Sequence, residues 1–255
     1  MTTTPTHPID PTTELGQLVG NHPEFATVFE SLGIDYCCGG ETSLQRACAQ
    51  NDLELETVLE QLDTTERAAD AVPADASITE LIDDIVNTHH DFLRAELPSL
   101  ERLVRKVTRV HGESQPELEA IESTFLDLKE EVTHHIADEE ENAFPVLRAL
   151  ETAGTGAATD PDAAETDLTQ TGMEDEQIRD AIAHLEAEHD TAAEQLERLR
   201  SLSDNYAVPE DACTSYRNIL DRLQLLEADM HQHVHKENNV LFPKAEQALE
   251  AGGES

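Results

Sequence analysis

Two stretches of the chain repeat one arrangement of histidine, glutamate, phenylalanine and proline. His135 is followed at i+4 by Glu139 and then by Phe144-Pro145; His233 is followed at i+4 by Glu237 and then by Phe242-Pro243, in the same register. Ahead of each lies a His-Asp dipeptide, His90-Asp91 standing 45 positions before His135 and His189-Asp190 standing 44 before His233. Residues four apart on a helix project from one face, so each His-x-x-x-Glu presents an imidazole beside a carboxylate. Four imidazoles and two carboxylates would be costly to bury uncompensated, whereas two divalent cations neutralise the carboxylates and use every imidazole lone pair. The pattern therefore predicts a dinuclear metal site held by His90, His135, Glu139, His189, His233 and Glu237. One His-x-x-x-Glu on an acidic helix is ordinarily a solvated pair; its duplication in register, with a matching histidine upstream, separates this case from that one. Imidazole and carboxylate without thiolate suit iron, manganese or zinc. Six protein donors do not saturate two octahedral ions. With one or both Glu bridging metals roughly 3.5 to 4 Å apart, positions remain for an oxo or hydroxo bridge and a small exogenous molecule.

The elements that must position these residues are helices. Apolar residues recur with helical spacing at Ile78, Leu81, Ile82 and Ile85, where Ser77 to Glu80 has the spacing of a capping box, and that helix runs to about Val110 with a kink expected at Pro98. A second starts near Pro116 and runs through Ile121, Phe125, Leu128 and Val132 to about Glu151; a third spans about Glu174 to Ser201; a fourth begins at Pro209 and ends near Glu250. Four amphipathic helices without a strand bury their stripes against each other, which predicts an all-α four-helix bundle over 77–250. Residues 152–172, rich in Gly, Thr, Ala and Asp, are expected to form a flexible acidic loop. In front, residues 1–70 read as a small helical domain, with a linker over 64–76. Its second helix stops at Gly33, and Ile34-Asp-Tyr-Cys-Cys-Gly-Gly40 then forms a turn whose glycines accommodate positive φ. Adjacent Cys37 and Cys38 point apart and chelate one ion poorly, so a packed turn and a reactive thiol pair both remain open.

The other histidines lack the repeat. His134 with Asp138, and His231 with His235, lie off the common face and read as solvated or second to the ligands; His7, His22, His89 and His184 read as surface or packing residues. His111 is undecided. Cys48 and Cys213 are expected to pack between helices.

The chain has 255 residues, 16 Lys+Arg against 55 Asp+Glu, and a formal net charge of -39. Such a surface repels phosphate backbones and anionic lipid head groups, which excludes nucleic acid and membrane surfaces as natural partners and suits a high-salt habitat. The longest apolar stretches fall far short of the roughly 20 residues of a membrane helix, and the polar N-terminus lacks the features of a signal peptide. Four cysteines in this length fit a reducing compartment, so a cytoplasmic protein is expected.

At these residues the chain resembles a hemerythrin-type bundle. With Asp35-Tyr36-Cys37-Cys38-Gly39-Gly40 in front, His90-Asp91 ahead of Leu97-Pro98, His135-x-x-x-Glu139, Glu188-His189-Asp190 and His233-x-x-x-Glu237-Asn-Asn-Val-Leu-Phe-Pro243, it closely resembles the Repair of Iron Centres family over nearly its whole length. The resemblance implies a di-iron centre of two non-haem irons on the six residues above, with Glu139 and Glu237 as bridges. It further implies that the protein donates iron to iron-sulfur clusters damaged by nitric oxide or oxidants, so that its partners are damaged or apo iron-sulfur proteins and small ligands such as nitric oxide or oxygen, with room for a homodimer. Oxygen-carrying hemerythrins pair two histidines four apart on the third helix; here Ala193 follows His189 at i+4, and Asn238 stands five after His233. One imidazole fewer and a second Glu imply a more labile centre, suited to donation over reversible storage. The resemblance also favours a thiol role for Cys37 and Cys38, in accepting iron or nitric oxide or in exchanging disulfides with a partner, while Glu131 and Glu188 either line an iron exit path or are solvated carboxylates. The competing functions are a di-iron nitric oxide or peroxide reductase, a sensor of oxygen or nitric oxide, and a metal-free structural bundle.

Overall fold

A computed structural model describes residues 9–22, 25–36, 40–65, 76–154, 175–210 and 212–253. Among them there is no strand, only an isolated antiparallel bridge between Glu14 and Ser43. Their contacts form two compact units, one of Met1–Ala76 with His231–Leu241, the other of Ser77–Met230 with Phe242–Ser255. The expected boundary near residue 70, the linker centre, the loop over 155–172 and Cys37-Cys38 lie outside the described residues.

The first unit contains α1 (Leu15–Asn21), α2 (Phe25–Leu32), α3 (Leu44–Gln50) and α4 (Leu55–Thr65). None is long enough to be stable alone, so packing must hold them. Leu15, Phe25, Phe29, Tyr36, Leu44 and Leu62 are fully buried and make one core with Leu18, Ile34, Cys48, Val58 and Leu59. Gly33, with φ of 69°, ends α2 as its position after the apolar run suggested. The Glu14–Ser43 bridge sets the register of the next turn: Leu15 N–H donates to the Thr42 carbonyl at 2.9 Å, Gly16 N–H to that of Gly40 at 2.9 Å, and Leu44 N–H to that of Thr13 at 3.0 Å.

The second unit is all helical. α5 (Ile78–Ile85) opens with the expected capping box, Glu80 N–H donating to Ser77 Oγ at 3.1 Å and Ser77 N–H to Glu80 Oε2 at 2.8 Å. The Glu151 carboxylate accepts from the next free amides, Ile78 N–H at 3.2 Å and Thr79 N–H at 3.1 Å, placing negative charge where the helix dipole favours it. A π-helical turn, Val86–His90, leads into α6 (Asp91–His111), which remains helical through Pro98. The second helix of the hairpin is α7 (Glu117–Asp138), a π-turn Glu139–Ala143, and α8 (Phe144–Gly154). α9 (Asp175–Leu202) is uninterrupted; the last run is α10 (Thr214–Lys236), a π-turn Glu237–Leu241, and α11 (Phe242–Gly253), of which His231–Leu241 belongs to the first unit. Within this unit α6 packs on α7, α7 on α9, and both α5 and α11 on α8, around fully buried Ile82, Ile85, Leu93, Leu97 and Phe125.

Two expectations change. The fourth helix starts at Thr214, not Pro209, because Ala212 N–H closes a turn on the Pro209 carbonyl and the first helical amides, Tyr216 and Arg217, donate to Cys213. Cys213 is exposed instead of packed, its Sγ lying 3.3 Å from His111 Nε2. The connection from α9 also carries three non-glycine residues at positive φ, Asp204, Asn205 and Tyr206. Burial pushes the Tyr206 hydroxyl far above its ordinary range, and the nearby Glu227 carboxylate adds to that. Glu227 is itself buried and accepts from Arg200 Nε at 3.0 and 3.2 Å.

Candidate metal centre

Each His-x-x-x-Glu pair straddles a junction between α-helix and π-helix. Glu139 and Glu237 are the first residues of their π-turns, and His90 is the last of the turn before α6. In two of these turns the backbone ladder is seen to slip by one residue: Asp91 N–H reaches the Val86 carbonyl and Phe144 N–H that of Glu139, both five residues back. π-turns of this kind cluster at functional sites because they re-aim side chains that a regular helix would not. The Phe-Pro pairs fit them, since an α-helix would drive the Pro145 ring against the Glu141 carbonyl and Pro243 against that of Asn239.

All six residues singled out by the repeat are buried, and His90, Glu139, His233 and Glu237 are fully enclosed. Donor atoms of His90, Glu139, His233 and Glu237 lie within 4.8 Å of one another, and so do those of His135, Glu139, His189 and Glu237. Pairwise, His90 Nε2 is 3.3 Å from Glu139 Oε2, His135 Nε2 is 3.4 Å from Glu139 Oε1, His233 Nε2 is 3.0 Å from Glu237 Oε1, and the Nε2 atoms of His135 and His189 are 2.9 Å apart. Phe144 stacks on the His90 ring and Phe242 on that of His189 at interplanar angles of 13° and 4°, so the repeated phenylalanine fixes one histidine plane in each half.

The outer nitrogens carry a second message. His90 Nδ1 lies 2.7 Å from Glu140 Oε1, and His135 Nδ1 lies 2.8 Å from Glu188 Oε2. An ionised carboxylate only accepts, so both imidazoles donate from Nδ1, and in their neutral tautomers each carries its lone pair on Nε2. Those lone pairs face the enclosed Glu139 carboxylate at the distances above. Acceptor facing acceptor in a water-poor interior is unfavourable until a cation lies between them, and carboxylate–histidine pairs of this kind commonly orient metal ligands. Arg94 Nη2, 2.7 Å from Glu140 Oε2, holds the outer carboxylate in turn. Burial alone would raise the Glu140 pKa, but Arg94 and then His90 outweigh it, leaving the carboxyl below its usual range and ionised. The donor chemistry therefore fits a metal site.

A cleft of about 660 Å³ reaches His135 and His189 and is rimmed by Asp127, Glu130, Glu131 and Glu188. Glu131 is exposed there, accepting from Gln195 Nε2 at 2.6 Å; desolvation first, then the neighbouring Asp127, Glu188 and Glu130 charges raise its pKa, while the Gln195 bond opposes them. Glu188 is thus more than a solvated carboxylate, because it holds His135. Among the remaining histidines, His134 and His184 are exposed, as expected. His89 is buried against Asp229 Oδ1 at 2.9 Å, and His235 is buried too, with burial taking its pKa down to about 4 against the pull of the Tyr36 backbone. Sequence spacing gave no sign of either partner, since Asp229 and Tyr36 are far along the chain.

The helical fold and this buried donor set define a hemerythrin-type protein: residues 81–245 match a family model described as the hemerythrin HHE cation binding domain, and residues 12–66 match one described as a domain of unknown function, DUF542. The chain is 31% identical to the iron-sulfur cluster repair protein YtfE of Enterobacter sp. strain 638 and to that of Escherichia coli O17:K52:H18, over 91% of this chain and 95% of theirs. It is 29% identical to the iron-sulfur cluster repair protein ScdA of Staphylococcus epidermidis, over 90% of this chain and 96% of that one. The chain belongs to this family of iron-sulfur cluster repair proteins, as its motifs implied. No helix among the described residues is long and apolar enough to cross a membrane.

Proposed function

We propose that this protein holds two iron ions and donates iron to iron-sulfur proteins whose clusters have been lost or damaged. One observation carries the dinuclear reading: the two four-residue groups share Glu139 and Glu237 and nothing else. A carboxylate common to two groups is placed to serve both, so His90 and His233 would hold one ion and His135 and His189 the other, with Glu139 and Glu237 available to each. Each ion would then draw on two imidazoles and two carboxylates, fewer donors than an octahedral ion accepts, which would leave it exchangeable. The acidic cleft at His135 and His189 supplies anionic rim residues along which a departing cation is attracted. Bound iron would supply redox and ligand-exchange chemistry; the chain's own residues orient imidazoles, neutralise charge and limit water. The family resemblance gives Cys37 and Cys38 the role of receiving iron or nitric oxide.

The test is elemental analysis of anaerobically purified protein beside the Glu139→Ala/Glu237→Ala variant, followed by reactivation of a dehydratase with a degraded cluster. About two irons per chain, lost in the variant, with stoichiometric iron loss during reactivation, is the expected result. Retention of metal by the variant refutes the centre. Many turnovers of nitric oxide or peroxide with an electron donor, without iron loss, would instead make the protein a reductase; reversible ligand binding without iron loss would make it a sensor.

A further inference from the structure

The segment His231–Leu241 contains two of the six donors, His233 and Glu237, yet its contacts group it with Met1–Ala76. The Asn239 side chain sits on the backbone of two glycines from that unit. A Cβ added at Gly16 or at Gly40 would each meet Asn239 Oδ1 at 2.4 Å, and Gly16 N–H is bonded to the Gly40 carbonyl, so the two glycines form one floor beneath a single amide. Gly40 is needed here for room: Gly33 is the only described glycine at positive φ. Asn239 Nδ2 lies 3.2 Å from His235 Nδ1, and fully buried Tyr36 meets the rings of His235 and His231 edge-on, with centroids 5.5 and 6.1 Å away. Asn239 lies two residues beyond Glu237 in the same π-turn, and His235 lies between His233 and Glu237.

We infer that Asn239 is a positioning residue for the centre: locked onto the Gly16–Gly40 floor and braced through His235 by Tyr36, it fixes the π-turn that aims Glu237, and the N-terminal unit thereby controls how long the cations are retained. This rests on the proposed metal centre. A π-turn is a high-energy excursion in a helix and persists only where its surroundings over-determine it. The clasp supplies that determination from residues outside the proposed ligand set.

The experiment compares the full-length parent with Asn239→Ala, Gly16→Ala and the double variant. Two readouts are taken: amide hydrogen exchange over 231–241 in metal-free protein, and the rate of iron loss to a chelator from loaded protein. Each single variant is expected to speed both by roughly tenfold, the size of one lost buried polar contact. The double variant should be little worse than Asn239→Ala alone, because removing the amide removes the 2.4 Å clash and leaves a Gly16 Cβ only the Gly40 carbonyl at 3.3 Å. Unchanged exchange over 231–241, or additive effects in the double variant, overturns the clasp. Faster exchange with unaltered iron loss overturns its control of retention. If the parent loads no iron at all, the centre itself fails, and the exchange arm still decides whether Asn239 holds the turn.

Discussion

Replacing Glu140 by Gln should loosen the metal centre without touching a proposed ligand. Glu140 Oε1 accepts from His90 Nδ1 at 2.7 Å and Oε2 pairs with Arg94 at 2.7 Å, so the carboxylate fixes the His90 tautomer and adds negative charge behind the ring. The amide keeps the shape. It loses the charge, and it can present an N–H to His90 Nδ1, turning the imidazole toward the tautomer that carries its proton on Nε2, against Glu139. Loss of such an outer carboxylate typically costs 10- to 100-fold in metal affinity, about 1.4 to 2.7 kcal/mol. Glu141, exposed on the same π-turn, is the matched control. Competition with a graded series of chelators, monitored by metal release, should show Glu140→Gln weaker by that factor and Glu141→Gln equal to parent. Equal affinities for all three proteins would refute the argument that His90 is poised through its outer nitrogen.

Glu151→Ala should lower thermal stability by about 1 kcal/mol, the usual worth of a helix cap, and leave metal content intact. Although burial opposes it, bonds from Thr79, Ser77 and Ile78 hold the Glu151 carboxyl below its usual range, so this stabilisation is complete above its ordinary pKa near 4.5 and is lost as pH falls below that; melting curves from pH 7 to 3 should converge for parent and variant at the acid end. Arg200→Ala strands the buried Glu227 carboxylate beside Tyr206 and should cost about 3 kcal/mol by urea unfolding, a loss that Arg200→Ala with Glu227→Gln partly restores; equal stability of single and double variants would contradict it. Peptide mapping after brief alkylation should find Cys213 labelled and Cys48 untouched, because Cys48 is buried and burial raises its pKa; rapid labelling of Cys48 would show that the α3 core opens readily.

The clustering of the six residues was legible in the sequence because duplication is a signal independent of packing: the six fixed by register are the six that the fold brings together. The bundle helices were legible from periodicity and from caps such as Ser77–Glu80. The π-turns were not, since a one-residue slip leaves the spacing of His135 and Glu139 intact; Pro145 and Pro243, two residues past their turns, mark two of them, and nothing comparable marks Val86–His90. The proline at 209 misled in the other direction, because its fixed φ suits a turn as well as a first helical residue. Cys213 was misjudged because it precedes the helix that starts at Thr214, and the burial of His235, whose spacing left it either solvated or second to the ligands, is set by Tyr36, far away in sequence.

The first unit is discontinuous in sequence, and this bears on how the chain is made. Met1–Ala76 emerges early, whereas His231–Leu241 follows some 150 residues later, which at ordinary synthesis rates of roughly 5 to 20 residues per second is a delay on the order of 10 to 30 s. For that interval the Gly16–Gly40 floor and the Tyr36 ring have nothing from the final helix to rest on. Vectorial folding thus withholds His233 and Glu237 from the other four clustered side chains until residues 231–241 are translated, so a nascent chain shorter than that has no complete His/Glu cluster to offer whichever metal it meets first.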